Sequence, residues 1–197
     1  MAHPVQDDTH GRILDAAVSL FAERGYGATS VREVCEAAGV TKPTLYYHFG
    51  SKEGLFRAIV DLHLGQLTRI IEEAVSTPGS LATRLRAYVA ALTSHTQRHP
   101  EGMKVLESAH HGPDAAKAGV NRDELLAVHQ RNAEHLSALL QEGVVSGELR
   151  ADLDCFHTVL SLIGMTSFHC KAASLGFPLP DDHADRLVSH FLNGVAA

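Results

Sequence analysis

Residues 28–56, Ala-Thr-Ser-Val-Arg-Glu-Val-Cys-Glu-Ala-Ala-Gly-Val-Thr-Lys-Pro-Thr-Leu-Tyr-Tyr-His-Phe-Gly-Ser-Lys-Glu-Gly-Leu-Phe, read as two short helices joined by a tight glycine turn and followed by the start of a third. Ser30 and Glu33 form a Ser-x-x-Glu capping box, and Val31, Val34, Cys35 and Ala38 keep an apolar helical spacing up to Gly39. The spacing predicts a helix over 31–38. After Gly39-Val40, Thr41 is placed to cap a second helix with Pro43 in its first turn, where the missing N–H costs nothing; it ends near Phe49-Gly50. Ala37, Ala38 and Val40 are compact enough to let the two helices approach closely. Leu45 and Phe49, at i and i+4, face the domain core and turn Lys42, Thr44, Tyr46, Tyr47 and His48 toward other faces. A helix presenting such groups fits the DNA major groove when its partner crosses the backbone at a fixed angle. Lys42 and His48 suit phosphates or acceptor base edges, the tyrosine hydroxyls suit phosphates, and Pro43 and Thr44 can pack on thymine methyls.

The rest of the chain is helical in pattern. Leu14, Ala17, Val18 and Phe21 mark a first helix, roughly 9–24, with Gly25 in place for a left-handed cap. Ser51 caps a long amphipathic stretch, 51–75, that carries Gly65 as a kink position and stops at Thr77-Pro78-Gly79. A fifth helix from Leu81 is stopped by His99-Pro100, and a sixth runs on to His111-Gly112-Pro113. Asn121 with Glu124 opens a seventh that reaches about Ser146, after residues 113–120, which follow no clear pattern. Asp152 or Asp154 caps an eighth that reaches about Ser174. Asp181 or Asp182 opens a ninth, with Ala184, Leu187, Val188, Phe191 and Val195 on one face. No segment alternates with period two. The expected fold is all-α, about nine helices, with a helix-turn-helix domain over 1–55, a connecting helix 51–75 and a second domain over 76–197.

Composition narrows the class without deciding it. The chain has 197 residues, 45% of them hydrophobic, enough for a buried core. No apolar run approaches the ~20 residues that span a bilayer, and the N-terminus shows no export signal, so a cytoplasmic protein is expected. Three unevenly spaced cysteines, Cys35, Cys155 and Cys170, are expected as reduced thiols, Cys35 as a core residue. The net charge is −6, and residues 26–57 carry 4 Lys+Arg against 3 Asp+Glu. DNA binding must therefore rest on placed contacts rather than on bulk charge.

The sequence strongly resembles the TetR family of bacterial repressors over about residues 9–57. The likeness runs from Ile-Leu-Asp-Ala-Ala-Val-Ser-Leu-Phe-Ala-Glu-Arg-Gly-Tyr (13–26) through Ala-Ala-Gly-Val-Thr-Lys-Pro-Thr-Leu-Tyr-Tyr-His-Phe (37–49) to Ser-Lys-Glu-Gly-Leu (51–55). It implies base and phosphate contacts from Lys42, Pro43, Thr44, Tyr46, Tyr47 and His48, further contacts from Ser30 and Arg32, and a phosphate contact from Lys52. It also implies a C-terminal domain that binds an inducer and dimerises. Cys35 stands where the family commonly has a branched apolar residue. Pro43 stands where many members have glycine, so the base preference there does not carry over.

The second half offers three readings. Ten of the 14 histidines follow residue 75, and His95/His99, His110-His111, His129, His135, Cys155-x-His157 and His169-Cys170 invite a metal-sensor reading. Only His95 and His99 share an obvious helix face, so no metal and no cofactor is expected. A mainly apolar organic inducer is expected instead, lined by Tyr88, Leu92, His95, Met103, Leu106, His110, His129, Phe156 and Met165. The apolar faces of the eighth and ninth helices predict a four-helix interface in a homodimer, through Phe156, Leu160, Leu187, Val188, Phe191 and Val195. Gly164 within the eighth helix signals close approach of a neighbour. Together these give a dimeric repressor that binds a palindromic double-stranded operator and is released by inducer. The alternatives are a metal-sensing repressor and a DNA-binding protein without effector. No His-Glu-x-x-His, Gly-x-Ser-x-Gly or phosphate-cradling glycine loop supports an enzyme.

Overall fold

A computed structural model of the chain describes residues 6–111 and 117–194. Among the described residues there are nine helices and no strand: α1 (Gln6–Arg24), α2 (Val31–Ala38), α3 (Lys42–Phe49), α4 (Lys52–Ser76), α5 (Leu81–Arg98), α6 (Pro100–His111), α7 (Arg122–Ser146), α8 (Cys155–Ser174) and α9 (His183–Asn193). None of them is long and apolar enough to cross a membrane. Three of the expected caps form. Ser30, Ser51 and Asp154 each accept a backbone N–H in the first turn of the helix they precede. Asn121 instead accepts from Asp123, one residue earlier than a capping box with Glu124 requires, and Asp182 holds Arg186 rather than capping α9.

Contacts divide the chain into two compact units. The first holds the residues up to Gly65 together with Pro100–Leu125, and the second holds Gln66–His99 together with the residues from Leu126. This differs from the boundary expected at residue 76. The first unit ends inside α4, at Gly65, and takes in α6, which packs on α1. Ser19 donates to Glu101 (2.7 Å) and Arg57 to the carbonyl of Gly119 (2.8 Å), fixing both ends of the returning segment. Ile13, Ala17, Leu45, Leu55, Phe56 and Ile59 form the buried centre of this unit. Within it the His63 ring lies directly on α6 at Gly102: a β-carbon there would sit 2.0 Å from Nε2 of the imidazole.

In the second unit Leu85, Val89, Leu136, Leu140, Val159, Leu162 and Val188 build one core from α5, α7, α8 and α9. α9 packs chiefly on α5. Its apolar face is therefore used within the protomer: Leu187, Val188 and Phe191 are buried. What buries them in the protomer is α5 and the shared core, a partner that their expected place in a dimer interface did not include. Val195 lies outside the described residues.

Gly102→Ala is expected to destabilise the protein by about 1–3 kcal/mol, because a β-carbon overpacks a buried ring. His63→Ala in the same chain should recover part of that loss, a coupling that urea unfolding of the two single variants and the double variant would measure.

Candidate nucleic-acid interface

The helix-turn-helix is built by local hydrogen bonding. The Ser30 hydroxyl accepts the Glu33 N–H (3.2 Å) and donates to its carboxylate (2.7 Å), while the Ser30 N–H donates to the same carboxylate (2.8 Å). These bonds, the hydroxyl's first, hold the Glu33 carboxyl below its ordinary range, with Arg24 and Arg32 adding to the effect. At the other end of α2, Gly39 is left-handed (φ +65°), and the N–H of Val40 returns to the carbonyl of Cys35 (3.0 Å). Cys35 is buried, and burial pushes its thiol up, as suits a core residue rather than a reactive one. Thr41 has the extended backbone of an N-cap, but its hydroxyl pairs with that of Thr44 (2.9 Å) instead of capping α3.

α3 buries a single residue, Leu45. Tyr47 is 76% exposed and Tyr46 45%, Lys42 and Pro43 are exposed, and Thr44 and His48 are half-buried. Six of the expected contacts thus lie together on one short helix. On α2, Arg32 is exposed and makes a 3.5 Å pair with Glu36, an exposed i,i+4 contact too weak to hold it from a phosphate. Phe49 is half-buried rather than fully inward, with His10 of α1 tilted against its ring at 4.6 Å.

Two expected contacts are engaged within the fold. Ser30 serves the capping box. The Lys52 ammonium donates to the Tyr26 carbonyl and stands 4.1 Å from the centre of the Tyr26 ring. The next residue, Glu53, accepts the Tyr26 hydroxyl (3.0 Å). Its own backbone N–H, the Ser51 hydroxyl and then Tyr26 hold the Glu53 carboxyl below its ordinary range. Tyr26 is buried against Phe21 and Phe56, with ring centres 5.7 and 5.1 Å away, so the first turn of α4 grips the turn before α2 through one tyrosine. The structural role of Tyr26 has one mark in the sequence, an aromatic residue directly after the capping Gly25.

The histidines of the second half are mostly dispersed in the structure. His95 and His99 do come together, ring centres 4.8 Å apart. Among the described residues, however, no group of three or more His, Cys, Asp or Glu could hold an ion. Cys155 turns inward toward Gln141 while His157 faces out and pairs with Asp154 (2.8 Å), so the two diverge as their spacing on a helix requires. His169 meets His183 edge to face at 5.0 Å, and Cys170 meets Thr93.

The residues expected around an inducer divide between the units. Met103, Leu106 and His110 belong to the first; Tyr88, Leu92, His95, His129, Phe156 and Met165 belong to the second. Tyr88, His95 and Leu106 are buried. Burial, and after it the nearby Cys170, pushes the Tyr88 phenol far up, keeping it neutral. Phe156 is exposed on α8, which removes it from any internal lining, and Met165 lines a surface groove of about 490 Å³ with His157, His190 and Phe191. Asn132 on α7 was not anticipated: it is buried, and its Oδ1 has no hydrogen-bond partner. A polar residue on the stripe His129, Ala133, Leu136 was the available signal.

A short helix presenting polar and aromatic side chains on a capped partner defines a DNA-binding helix-turn-helix protein. The family model for bacterial regulatory proteins of the tetR family matches residues 13–59. The transcriptional repressor KstR2 of Rhodococcus jostii (strain RHA1) is 30% identical over 168 residues, 78% of this chain and 77% of that protein. The transcriptional activator FasR of Mycolicibacterium smegmatis is 35% identical over 101 residues, but these are 51% of this chain and 46% of FasR. In three dimensions the chain is similar to the TetR family regulator PfmR of Thermus thermophilus, with a TM-score of 0.74 and 27% identity over 92% of this chain and 95% of that one. The chain belongs to the TetR family of transcriptional regulators, DNA-binding proteins and not enzymes.

Tyr26→Phe removes one hydrogen bond and keeps the ring, so it should cost about 1 kcal/mol or less near neutral pH. The bond favours ionised Glu53. Its contribution is present above the ordinary carboxylate range and is lost as pH falls through the lower folded value, so denaturation curves of wild type and variant should converge in acid.

Proposed function

We propose that the chain is a homodimeric repressor that binds a palindromic operator and releases it when a small, mainly apolar organic effector binds. Lys42, Pro43, Thr44, Tyr46, Tyr47 and His48, exposed or half-buried on a helix whose one buried side chain is Leu45, carry this reading. Residues near the start of α3 are placed for base edges: Pro43 and Thr44 against thymine methyls, Lys42 on an acceptor edge or phosphate. Tyr46, Tyr47 and His48, together with Arg32 of α2, suit phosphates. Repression rather than activation is favoured by KstR2, a repressor that matches over three-quarters of both chains.

Dimerisation follows from α8. Phe156, Leu160 and Phe168 are 43%, 47% and 71% exposed, and with Gly164 they form one i,i+4 stripe. An apolar stripe of that length is covered at low cost by its own copy across a two-fold axis, with Gly164 allowing close approach. Two recognition helices then read the two halves of a palindrome, each raising the effective concentration of the other. For the effector, the second unit carries two buried polar groups, the partnerless oxygen of Asn132 and the neutral phenol of Tyr88. Groups of this kind are what an apolar ligand with one polar end requires of its site. Effector and operator affinities are then linked reciprocally.

Tyr47→Ala and Lys42→Ala should each weaken binding to a duplex selected from a random library by about 10-fold, measured by fluorescence anisotropy. Unchanged binding by both would overturn the assignment of the DNA face. Leu160→Glu should sediment as a folded monomer and bind the same duplex far more weakly; a dimer as stable as wild type would remove α8 from the interface.

A further inference from the structure

α1 and α3 meet at a point that no sequence pattern links. His10, exposed in the first turns of α1, lies with its ring 4.6 Å from that of Phe49 and 5.9 Å from that of His48. His48 in turn stands 5.3 Å from Tyr47. Three rings, Tyr47, His48 and His10, therefore form a continuous row that leaves the recognition helix at its C-terminal end and continues onto α1. The early residues of a recognition helix meet base edges, whereas its C-terminal end lies over the sugar-phosphate backbone. Phe49 and His48 fix the orientation of the His10 imidazole while leaving it in solvent, so little freedom is lost when it binds. An imidazolium presents two N–H donors, the chemistry a phosphate accepts.

We propose that His10 is a further DNA-binding residue, contacting a backbone phosphate beside the contact of His48. This rests on the DNA-binding reading above and extends the interface from α2 and α3 to α1. The rings that meet His10 are those of His48 and Phe49 from α3, with Tyr47 beyond His48; on α1 itself Thr9 and Arg12 lie near it in sequence, the Arg12 guanidinium donating to the Thr9 hydroxyl at 3.5 Å. Asp7 and Asp8 precede it in the sequence. Only the imidazolium brings a positive charge to the phosphate, so acid strengthens the contact.

The competing role is packing alone, in which His10 only shields Phe49. His10→Phe keeps that cover and removes the donors; His10→Lys supplies a permanent cation. With a duplex selected by the wild-type protein from a random library, the slope of log affinity against log salt should be shallower for His10→Phe by about 0.9 at about pH 6. That amounts to an advantage for wild type that grows about 3-fold as salt falls from about 200 to about 50 mM. The gap should narrow at about pH 8, and His10→Lys should restore the steeper slope at both. Equal slopes for wild type and His10→Phe at about pH 6, with equal thermal midpoints, would overturn the proposal and leave His10 as packing. So would a His10→Lys slope no steeper than that of His10→Phe. If the wild-type protein retains no duplex, the DNA-binding reading itself fails, and this inference fails with it.

Discussion

The second helix of the helix-turn-helix, α3, cannot support itself. α3 is eight residues long and buries one side chain, Leu45, and a helix of that length is unstable in water when isolated. Its shape is imposed from outside: by the left-handed Gly39 that sets the turn, by the α2 capping box, and by the grip of α4 on Tyr26. That dependence suits the function. A helix with few internal demands is free to carry side chains chosen for a partner, and α3 leaves most of its surface open for one.

The same arrangement explains why two residues, Ser30 and Lys52, do not stand open at the surface. Ser30 serves the cap and Lys52 the turn at Tyr26, each engaged by bonds inside the fold. Arg32 differs, being held only by an exposed pair with a carboxylate one turn away.

Much of this was legible in the sequence, because short-range rules govern it. The ends of α2, α3, α5 and α6, and the capping roles of Ser30, Ser51 and Asp154, depend on residues within one turn of each other. What was not legible depends on long-range pairing. The stripe Leu187, Val188 and Phe191 shows that α9 buries one face, but periodicity cannot say whether α5 or a second subunit covers it. The contacts of His10 with Phe49 and of His63 with Gly102 join residues far apart in the chain and of no particular pattern. Asn132 was hidden by the opposite cause, a polar residue masked by an otherwise regular apolar face.

The inclusion of α6 in the first unit bears on how such proteins can be recombined. The DNA-binding unit is discontinuous: the chain leaves it at Gly65 and returns at Pro100 to lay a helix against α1. A fusion that joins residues 1–65 to another regulator's effector portion would give α1 a foreign covering helix and lose the partners of Ser19 and Arg57. Modularity in this chain is therefore a property of surfaces and not of sequence segments, and a working exchange of specificities must carry the α1-facing side of α6 together with the helices that read DNA.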